Sequence, residues 1–519
     1  MLNFSARAQF VPGAMGYDEI GLLGAYSDAG GSARMMGIGG AQNSLGGDIG
    51  SIAINPAGLG LYNRSEFSFT PSFNFINTDA RYFGNMESDF DFRFNFSNFG
   101  IVFNNTKDDV RPGPWRGGSF GVSVNKLADF NGRYFYAGRN TQSSILDYWS
   151  DQAHGVNVND IETDEYYWDQ AFGMAYFSYL INPTSSFSTD GRNDEYVPVI
   201  FPDQHAFQQE TVDSRGGRYA INFSYGGNFA DKLYFGLGLG LNTFYYGSTK
   251  SYYEFIDAAQ VNDPIVDFNL RENLSVQGVG INGVMGLIYR PLDFVRFGLS
   301  VATPTLYNLD SEFYNDLLNV DYAQKGDNEN FTDYELVLVD TTVIIDRPED
   351  QRSALIVSEY RIKTPAKFSA GASVFIGKRG FISADVDYVN YADMKITSND
   401  FSASEANRGI RNNYQGAFNF RIGGELRASI FRFRAGYGYY GDPYQDETLS
   451  RVRTVVSGGA GIRLKSFFLD IAAQSSQFDS RYYPYQIALF DDQGAPIAQQ
   501  PVNIKNSLTN ISASVGFFF

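Results

Sequence analysis

The chain has 519 residues, a formal net charge of −18 at pH 7 and no cysteine. The absence of cysteine excludes disulfides and thiolate metal sites, and the acidic balance argues against nucleic acid as a partner, because phosphates need a basic surface. Aromatic residues reach 16% of the sequence, yet no apolar run approaches the roughly 18 residues of a membrane helix. Composition therefore leaves a soluble protein or a transmembrane β-barrel, and excludes a helical membrane protein.

The N-terminal segment lacks long strand patterns. Ala6-Arg7-Ala8 resembles a small-x-small cleavage site, so we interpret residues 1–8 as a signal remnant. Residues 9–64 are then rich in glycine and small side chains, and Pro56 near their end fixes a turn. Such a segment before a barrel is either a periplasmic tail or a plug in the lumen, and we predict that residues 9–64 form a hatch.

Residues 65–519 show a strict two-residue alternation of apolar and polar side chains. It is clearest from Gly416 to Arg427, where Phe418, Phe420 and Ile422 share one face of the strand. The strands are long, their apolar faces are rich in Phe and Tyr, and their polar faces carry Arg and Glu. These features favour a watered lumen over the dry core of a sandwich. The predicted fold class is all-β, a transmembrane antiparallel barrel.

About fourteen such strands can be counted, and their connections alternate between short and long. The longest connections, residues 139–215 and 308–351, are predicted to be large extracellular loops. An even strand number places both chain ends on the periplasmic side. The final strand ends at Phe519 and resembles the C-terminal signature of outer-membrane proteins. The predicted location is therefore the outer membrane of a Gram-negative bacterium.

The loop at 139–215 carries aromatic residues at helix-like spacings, which predicts short helices over the barrel mouth. An acidic stretch there lacks the fixed ligand spacing of a calcium loop; it consists of Asp160, Glu162, Asp164, Glu165 and Asp169. His154 and His205 are the only histidines and offer neither a catalytic triad nor a His-rich metal site. We expect no enzyme activity, no cofactor and no metal.

Charged side chains are predicted on the lumenal face of several strands. Asp385 and Asp387 could form a catalytic pair, but among so many arginines we interpret them as part of an electrostatic wall. The predicted lumen charges are Asp385, Asp387, Arg421, Glu425, Arg427, Arg432 and Arg434. The run from Gly236 to Gly240 alternates as a strand and lacks the spacing of a nucleotide-binding loop.

The hatch segment carries a family resemblance. Ser32-Ala33-Arg34, then Gly37 to Ala41, and then a motif just before the first strand resemble the FadL/TodX family of outer-membrane transporters for long-chain fatty acids and other hydrophobic compounds. The motif consists of Asn55, Pro56, Ala57, Gly58 and Leu59. The resemblance implies a fourteen-stranded barrel, a lumenal hatch on which this motif takes part in gating, and an apolar ligand bound near the hatch.

The resemblance further implies a lateral exit at a kink in the third strand, and Asn131-Gly132 is the candidate for that kink. A glycine there could mark a bend, and a plain strand end or turn fits equally well. The expected function is passive uptake of hydrophobic small molecules, with outer-membrane lipid and lipopolysaccharide as surroundings. The alternatives are a PorV-like binding or shuttle component of type IX secretion, with a protein partner on the extracellular loops, and a general porin.

Overall fold

The computed structural model describes residues 15–26, 30–106, 113–163, 170–184, 195–201, 203–258, 264–325, 334–335, 355–490 and 496–519. The predicted signal remnant and part of the acidic stretch lie outside these residues. Fourteen strands form a closed antiparallel barrel in the described part, since the last strand pairs with the first. The predicted fold class is confirmed.

The strands are β1 Glu66–Tyr82, β2 Asn85–Thr106, β3 Trp115–Asp129 with Gly132–Asn140, β4 Ala206–Phe229, β5 Leu233–Ile256, β6 Pro264–Leu292, β7 Val295–Ala302 with Leu306–Lys325, β8 Ile356–Lys363 with Lys367–Phe375, β9 Gly380–Asn390 with Lys395–Ser398, β10 Gly416–Ala428, β11 Phe431–Tyr440, β12 Arg453–Arg463, β13 Phe467–Tyr482 and β14 Val502–Phe518. Four of them run in two pieces. Short strand pairs lie outside the barrel at Ile181–Pro183 with Tyr196–Pro198 and at Leu489–Phe490 with Pro496–Ile497, and Tyr334–Glu335 pairs with the outer end of β7.

The helices are α1 Tyr17–Ala25, α2 Ala33–Gly37, α3 Ser51–Ile54, α4 Ile145–Ala153, α5 Val158–Thr163, α6 Ala171–Phe177 and α7 Ser404–Asn413. Short 3-10 helices lie at Pro56–Leu61, Tyr391–Asp393 and Glu447–Leu449. Helices α1 to α3 and the first 3-10 helix fill the lumen, and we call this lumenal segment the hatch. Within the described residues, no helix combines the length and the apolar character needed to cross a membrane.

The outer face of the barrel is an apolar belt. On β10, Phe418, Phe420 and Ile422 are 53%, 51% and 51% exposed, whereas Asn419 between them is buried. The same alternation recurs on the neighbouring strands. Exposing such a face to water costs roughly 25 cal/mol per Å², and contact with lipid removes that cost. The predicted outward and inward faces of this strand are confirmed.

Several strands are longer than predicted. Strand β3 runs to Asn140, β4 begins at Ala206 and β7 extends to Lys325. The predicted loop 139–215 therefore includes strand residues at both ends, and the predicted loop 308–351 includes them at its beginning. The prediction of these loop bounds was wrong because polar side chains occupy both strand faces above the belt. The strands continue into water there, and hydrophobic alternation no longer marks them.

A cap of helices α4 to α6 covers the outer mouth, as the aromatic spacing predicted. Trp149 of α4 is buried, with its ring 5.4 Å from that of Phe268 on β6. Ser144 caps the helix by accepting a hydrogen bond from the amide of Leu146 at 3.0 Å. The hydroxyl of Ser144 in turn donates to Glu254 on β5. The cap therefore shares a core with the outer ends of the strands.

Candidate functional site

The hatch motif is a buried turn at the end of the barrel where β1 begins. The side-chain amide of Asn55 donates to the backbone oxygen of Asn43 at 2.7 Å and to that of Leu299 on β7 at 3.3 Å. The Asn55 side-chain oxygen accepts from the amide of Ala57 at 3.2 Å, and Pro56 takes the first position of the 3-10 helix. Motif residues 55–59 are all buried.

Glycines on three neighbouring strands let the hatch motif contact the barrel wall. A Cβ atom added to Gly226 or Gly236 would lie closer than 3.0 Å to the backbone of Pro56, and one added to Gly286 would come equally close to the side chain of Asn55. Only glycine leaves that space. We call Gly226, Gly236 and Gly286 the glycine face. The strand interpretation of the Gly236 run is confirmed.

A buried ion network ties the hatch to the opposite wall. Arg34 of α2 lies 3.6 Å from Asp48 in the hatch and 3.6 Å from Glu425 on β10. Arg434 on β11 contacts Glu425 at 2.9 Å and Asp470 at 2.6 Å. Burial by itself would lower the pKa of Arg34, but Glu425 and Asp48 raise it above its ordinary value. Arg34 therefore stays charged at every physiological pH.

The other predicted lumen charges also have partners. Asp385 accepts from the amide of Asn43 in the hatch at 2.9 Å, and Asp387 pairs with Arg421 at 2.7 Å. The side chain of Arg427 contacts Glu425 at 2.8 Å. The expectation of a watered lumen is wrong at this level, because the hatch fills it, and Asp385 and Glu425 bind the hatch directly.

Arg432 differs from the other predicted lumen charges. Its guanidinium donates to the backbone oxygens of Ser429 and Phe431 at 2.7 and 2.8 Å, in the short turn between β10 and β11. It therefore lies at the rim of the barrel beside a turn.

Strand β3 is interrupted at the predicted kink. Asp129 accepts from the amide of Asn131 at 3.0 Å, and the side chain of Asn131 donates to the backbone oxygen of Gly216 on β4 at 3.3 Å. The amide of Phe130 donates to the same oxygen at 3.1 Å, and Gly132 begins the second piece of the strand. The bend is thus held by β4.

The wall is unpaired between β2 and the bent part of β3. Strand β2 pairs with β3 only where residues 98–106 face 117–125. Among the described residues, 85–97 of β2 pair with β1 alone. Side chains join the two strands again toward the outer end, where Arg133 lies 3.8 Å from Asp89 and Asn85 donates to the backbone oxygen of Ala137 at 3.2 Å. We call the unpaired stretch, residues 89–97 of β2 beside 126–136 of β3, the β2–β3 gap.

A lumenal cavity of about 110 Å³ reaches this gap. Apolar side chains of α1, β3 and the last strands form most of its lining, together with two arginines. The lining residues include Leu22, Tyr26, Phe130, Asn131, Gly132, Arg451, Arg453 and Leu508. A second cavity of about 50 Å³ shares Ala128 and Asp129 with the first and extends to Ser97 on β2. A dry cavity of about 150 Å³ is known to hold benzene, so the larger cavity, at about 110 Å³, must widen to hold a single ring or a short chain segment.

Helix α1 carries two carboxyl groups, and that of Asp18 lies beside Asn413 and Tyr414 at the end of α7. Burial raises the pKa of Asp18 above its ordinary value. Glu19 is exposed inside the barrel lumen; the surrounding wall raises its pKa, and repulsion from Asp18 adds to that rise. Glu19 also accepts a hydrogen bond from the amide of Gly16 at 3.1 Å. Helix α1 therefore packs best in the lumen when these groups hold a proton.

We expect the packing of α1 to weaken as pH rises. A carboxyl whose folded pKa exceeds its unfolded value stabilises the folded state below the unfolded pKa, and this contribution is lost as pH rises through the folded pKa. Hydrogen exchange of the α1 amides, corrected for the intrinsic rate, should show protection falling from about pH 4 upward. D18N/E19Q should remove that slope, and an unchanged slope would contradict the assignment.

No family model and no curated protein matches the sequence. Solved structures do match. A FadL homologue of Pseudomonas aeruginosa is 12% identical, with 95% of this chain and 99% of that chain covered and a TM-score of 0.54. A deltaS2 mutant of the monoaromatic hydrocarbon channel TodX is 13% identical over 95% and 99%, with a TM-score of 0.50.

These likenesses define the class: the chain is a closed outer-membrane β-barrel with a lumenal hatch. Its fold is that of the FadL and TodX channels. The fold predicted from the hatch motif and strand count is confirmed, and so is the outer-membrane location, which the apolar belt requires.

Some parts of the site were not predicted from sequence. The sequence analysis does not predict α1 inside the glycine-rich segment, although Ile20 and Leu23 have the three-residue spacing of one helix face. The glycine face could have been suspected from glycines recurring on a lumenal strand face. Nothing in the local sequence of β2 shows that about half of the strand pairs with β1 but not with β3.

Proposed function

We propose that this protein takes up hydrophobic small molecules passively across the outer membrane and releases them sideways through the β2–β3 gap. The observation that carries the proposal is the mainly apolar cavity beside α1 of the hatch, which reaches the bend at Asn131-Gly132 where β2 and β3 are not paired. An apolar ligand leaving there enters lipid and avoids the polar periplasm, which is the path of lowest desolvation cost.

The hatch motif supports this path by blocking the alternative. Residues 55–59 are buried and tied to β4 to β7, so the direct way to the periplasm is closed. In this proposal the motif is the fixed base of the hatch, and the segment around α1 and Tyr26 that lines the cavity adjusts to the ligand. The TodX mutant is described as a monoaromatic hydrocarbon channel, which favours ligands of that chemistry, with long-chain fatty acids as the other class to test.

The alternatives from the sequence make different predictions. A general porin needs a continuous aqueous lumen, and the buried hatch contacts argue against one in the described part. A PorV-like shuttle component would bind a protein on the capped outer face, and co-purification of a large secretion channel would favour it. Bilayer conductance of the native chain would favour the porin.

Filling the cavity at the gap should stop transport. Ala128 is buried and lines both cavities, so A128W places an indole where the ligand would pass. Uptake of labelled toluene and labelled long-chain fatty acid by cells producing A128W should fall about tenfold against wild type.

The matched control is A473W, which makes the same change at an exposed, lipid-facing position of β13. It should leave uptake unchanged, and both variants should show the heat-modifiable migration of a folded barrel. Equal uptake by folded A128W and wild type would rule out exit through the β2–β3 gap.

A further inference from the structure

We propose that Arg361, Lys363 and Lys395, here called the basic triplet, bind the phosphates of a lipid headgroup in the outer leaflet. The three side chains are exposed on the outward face of β8 and β9. Lys363 lies directly opposite Lys395 across the two strands, and Arg361 lies opposite Thr397 in the next pair. The three cations thus form one patch.

The basic triplet lies at the edge of the apolar belt nearer the outer mouth, at the height where α1 packs against Tyr360 and Ile362 from the lumen. Leu306 on β7, directly opposite Lys363, is 54% exposed. The next outward side chains toward the end of the barrel that holds Pro56 are Phe368 on β8 and Tyr388 on β9, at 53% and 37% exposure. Headgroups lie at this height, and long basic side chains there rest their methylenes on apolar surface while the charge reaches phosphate.

The charge balance of the patch calls for an anion. Like charges directly opposite on neighbouring strands destabilise the sheet, and Lys363 faces Lys395. Within the described chain no ion pair is found for any member of the triplet. A phosphate between the two lysines would replace their repulsion with two charge-assisted hydrogen bonds.

The surrounding carboxylates do not neutralise the patch. Glu359 and Asp310 face each other one outward pair further from the membrane. Asp393, two residues before Lys395, accepts a hydrogen bond from the side chain of Asn390 at 3.0 Å. The acidic pair above and the apolar belt below confine a bound phosphate to the height of the triplet.

Lys505 on β14 shows the contrasting arrangement. It too is exposed on the outward face, but Asp79 and Asp479 lie directly opposite it on the two neighbouring strands. Its charge is balanced across both strand pairs, so it should have little affinity for phosphate. It is therefore a control within the same barrel.

The test is native mass spectrometry of the full chain in detergent, titrated with a diphosphorylated disaccharide lipid. Each basic side chain near a charged headgroup contributes about fivefold in affinity, so R361Q/K363Q/K395Q should bind about a hundredfold more weakly than wild type. K505Q should bind like wild type, and the same lipid without phosphates should bind wild type as weakly as it binds the triple variant.

Three results would overturn the proposal: wild-type affinity in the triple variant, an equal loss in K505Q, or equal binding of the dephosphorylated lipid. Competition with inorganic phosphate separates the two sources of the anion. If it displaces the lipid at equal concentration, the patch recognises free phosphate and the lipid assignment fails. Should the triple variant not fold, the single variant K363Q decides, with a fivefold loss expected.

Discussion

G236A should open the barrel to ions and make the hatch sensitive to protease. A Cβ atom at this position of β5 would lie closer than 3.0 Å to the carbonyl carbon of Pro56 and the amide nitrogen of Ala57. Both are backbone atoms, so no side-chain rotation can relieve the overlap. Overpacking of this kind costs about 1–3 kcal/mol or more, and here displacement of the hatch base relieves it.

The matched control is G283A on the neighbouring strand β6. An added Cβ atom there has its nearest contact at 3.7 Å, on the side chain of Thr303, which is ordinary van der Waals distance. Planar bilayer recordings should show frequent open events for G236A and the closed behaviour of wild type for G283A. Silent recordings and wild-type protease resistance in folded G236A would show that the glycine face does not hold the hatch.

E425Q should lower the free energy of unfolding by about 3–5 kcal/mol, because removing one partner of a buried ion network leaves uncompensated charge. Glu425 contacts Arg427 at 2.8 Å, Arg434 at 2.9 Å and Arg34 at 3.6 Å. Asp48 and Asp470 remain for two of these arginines, so the fold should survive with a loosened hatch. Urea titration of the barrel in lipid vesicles measures the difference.

E312Q supplies the comparison for that experiment. Glu312 is exposed on the outward face of β7, and a surface change of this kind alters stability by about 0.5 kcal/mol at most. If E425Q unfolds at the same urea concentration as E312Q, the ion network contributes specificity of packing without net stability, as some buried networks do.

The barrel could be predicted from sequence because its signal is local. Apolar and polar side chains alternate along each strand and so distinguish its two faces. The outward position of Phe418 and the lumenal position of Arg421 therefore follow from residues a few places apart. The bend at Asn131-Gly132 was found for the same reason, since a glycine within a strand pattern is visible without knowing its neighbours.

The contacts between hatch and wall could not be predicted this way. The fit of Pro56 against Gly236 and the pairing of Arg34 with Glu425 join residues hundreds of positions apart, and sequence periodicity carries no information on such pairs. The β2–β3 gap depends on the stagger between strands, which alternation does not fix. The outer ends of β4 and β7 could not be predicted, because both strand faces contact water there and the alternation of apolar and polar side chains is lost.

The closure of β14 onto β1 constrains the order of assembly. The amide of Ala33 in the hatch donates to the hydroxyl of Ser514 on the last strand at 2.7 Å, across a sequence separation of 481 residues. The hatch, which is made first, can form this contact only after β14 has been made. Contacts between residues so far apart in sequence form slowly. The barrel wall therefore closes around the hatch only when the last strand pairs with the first strand.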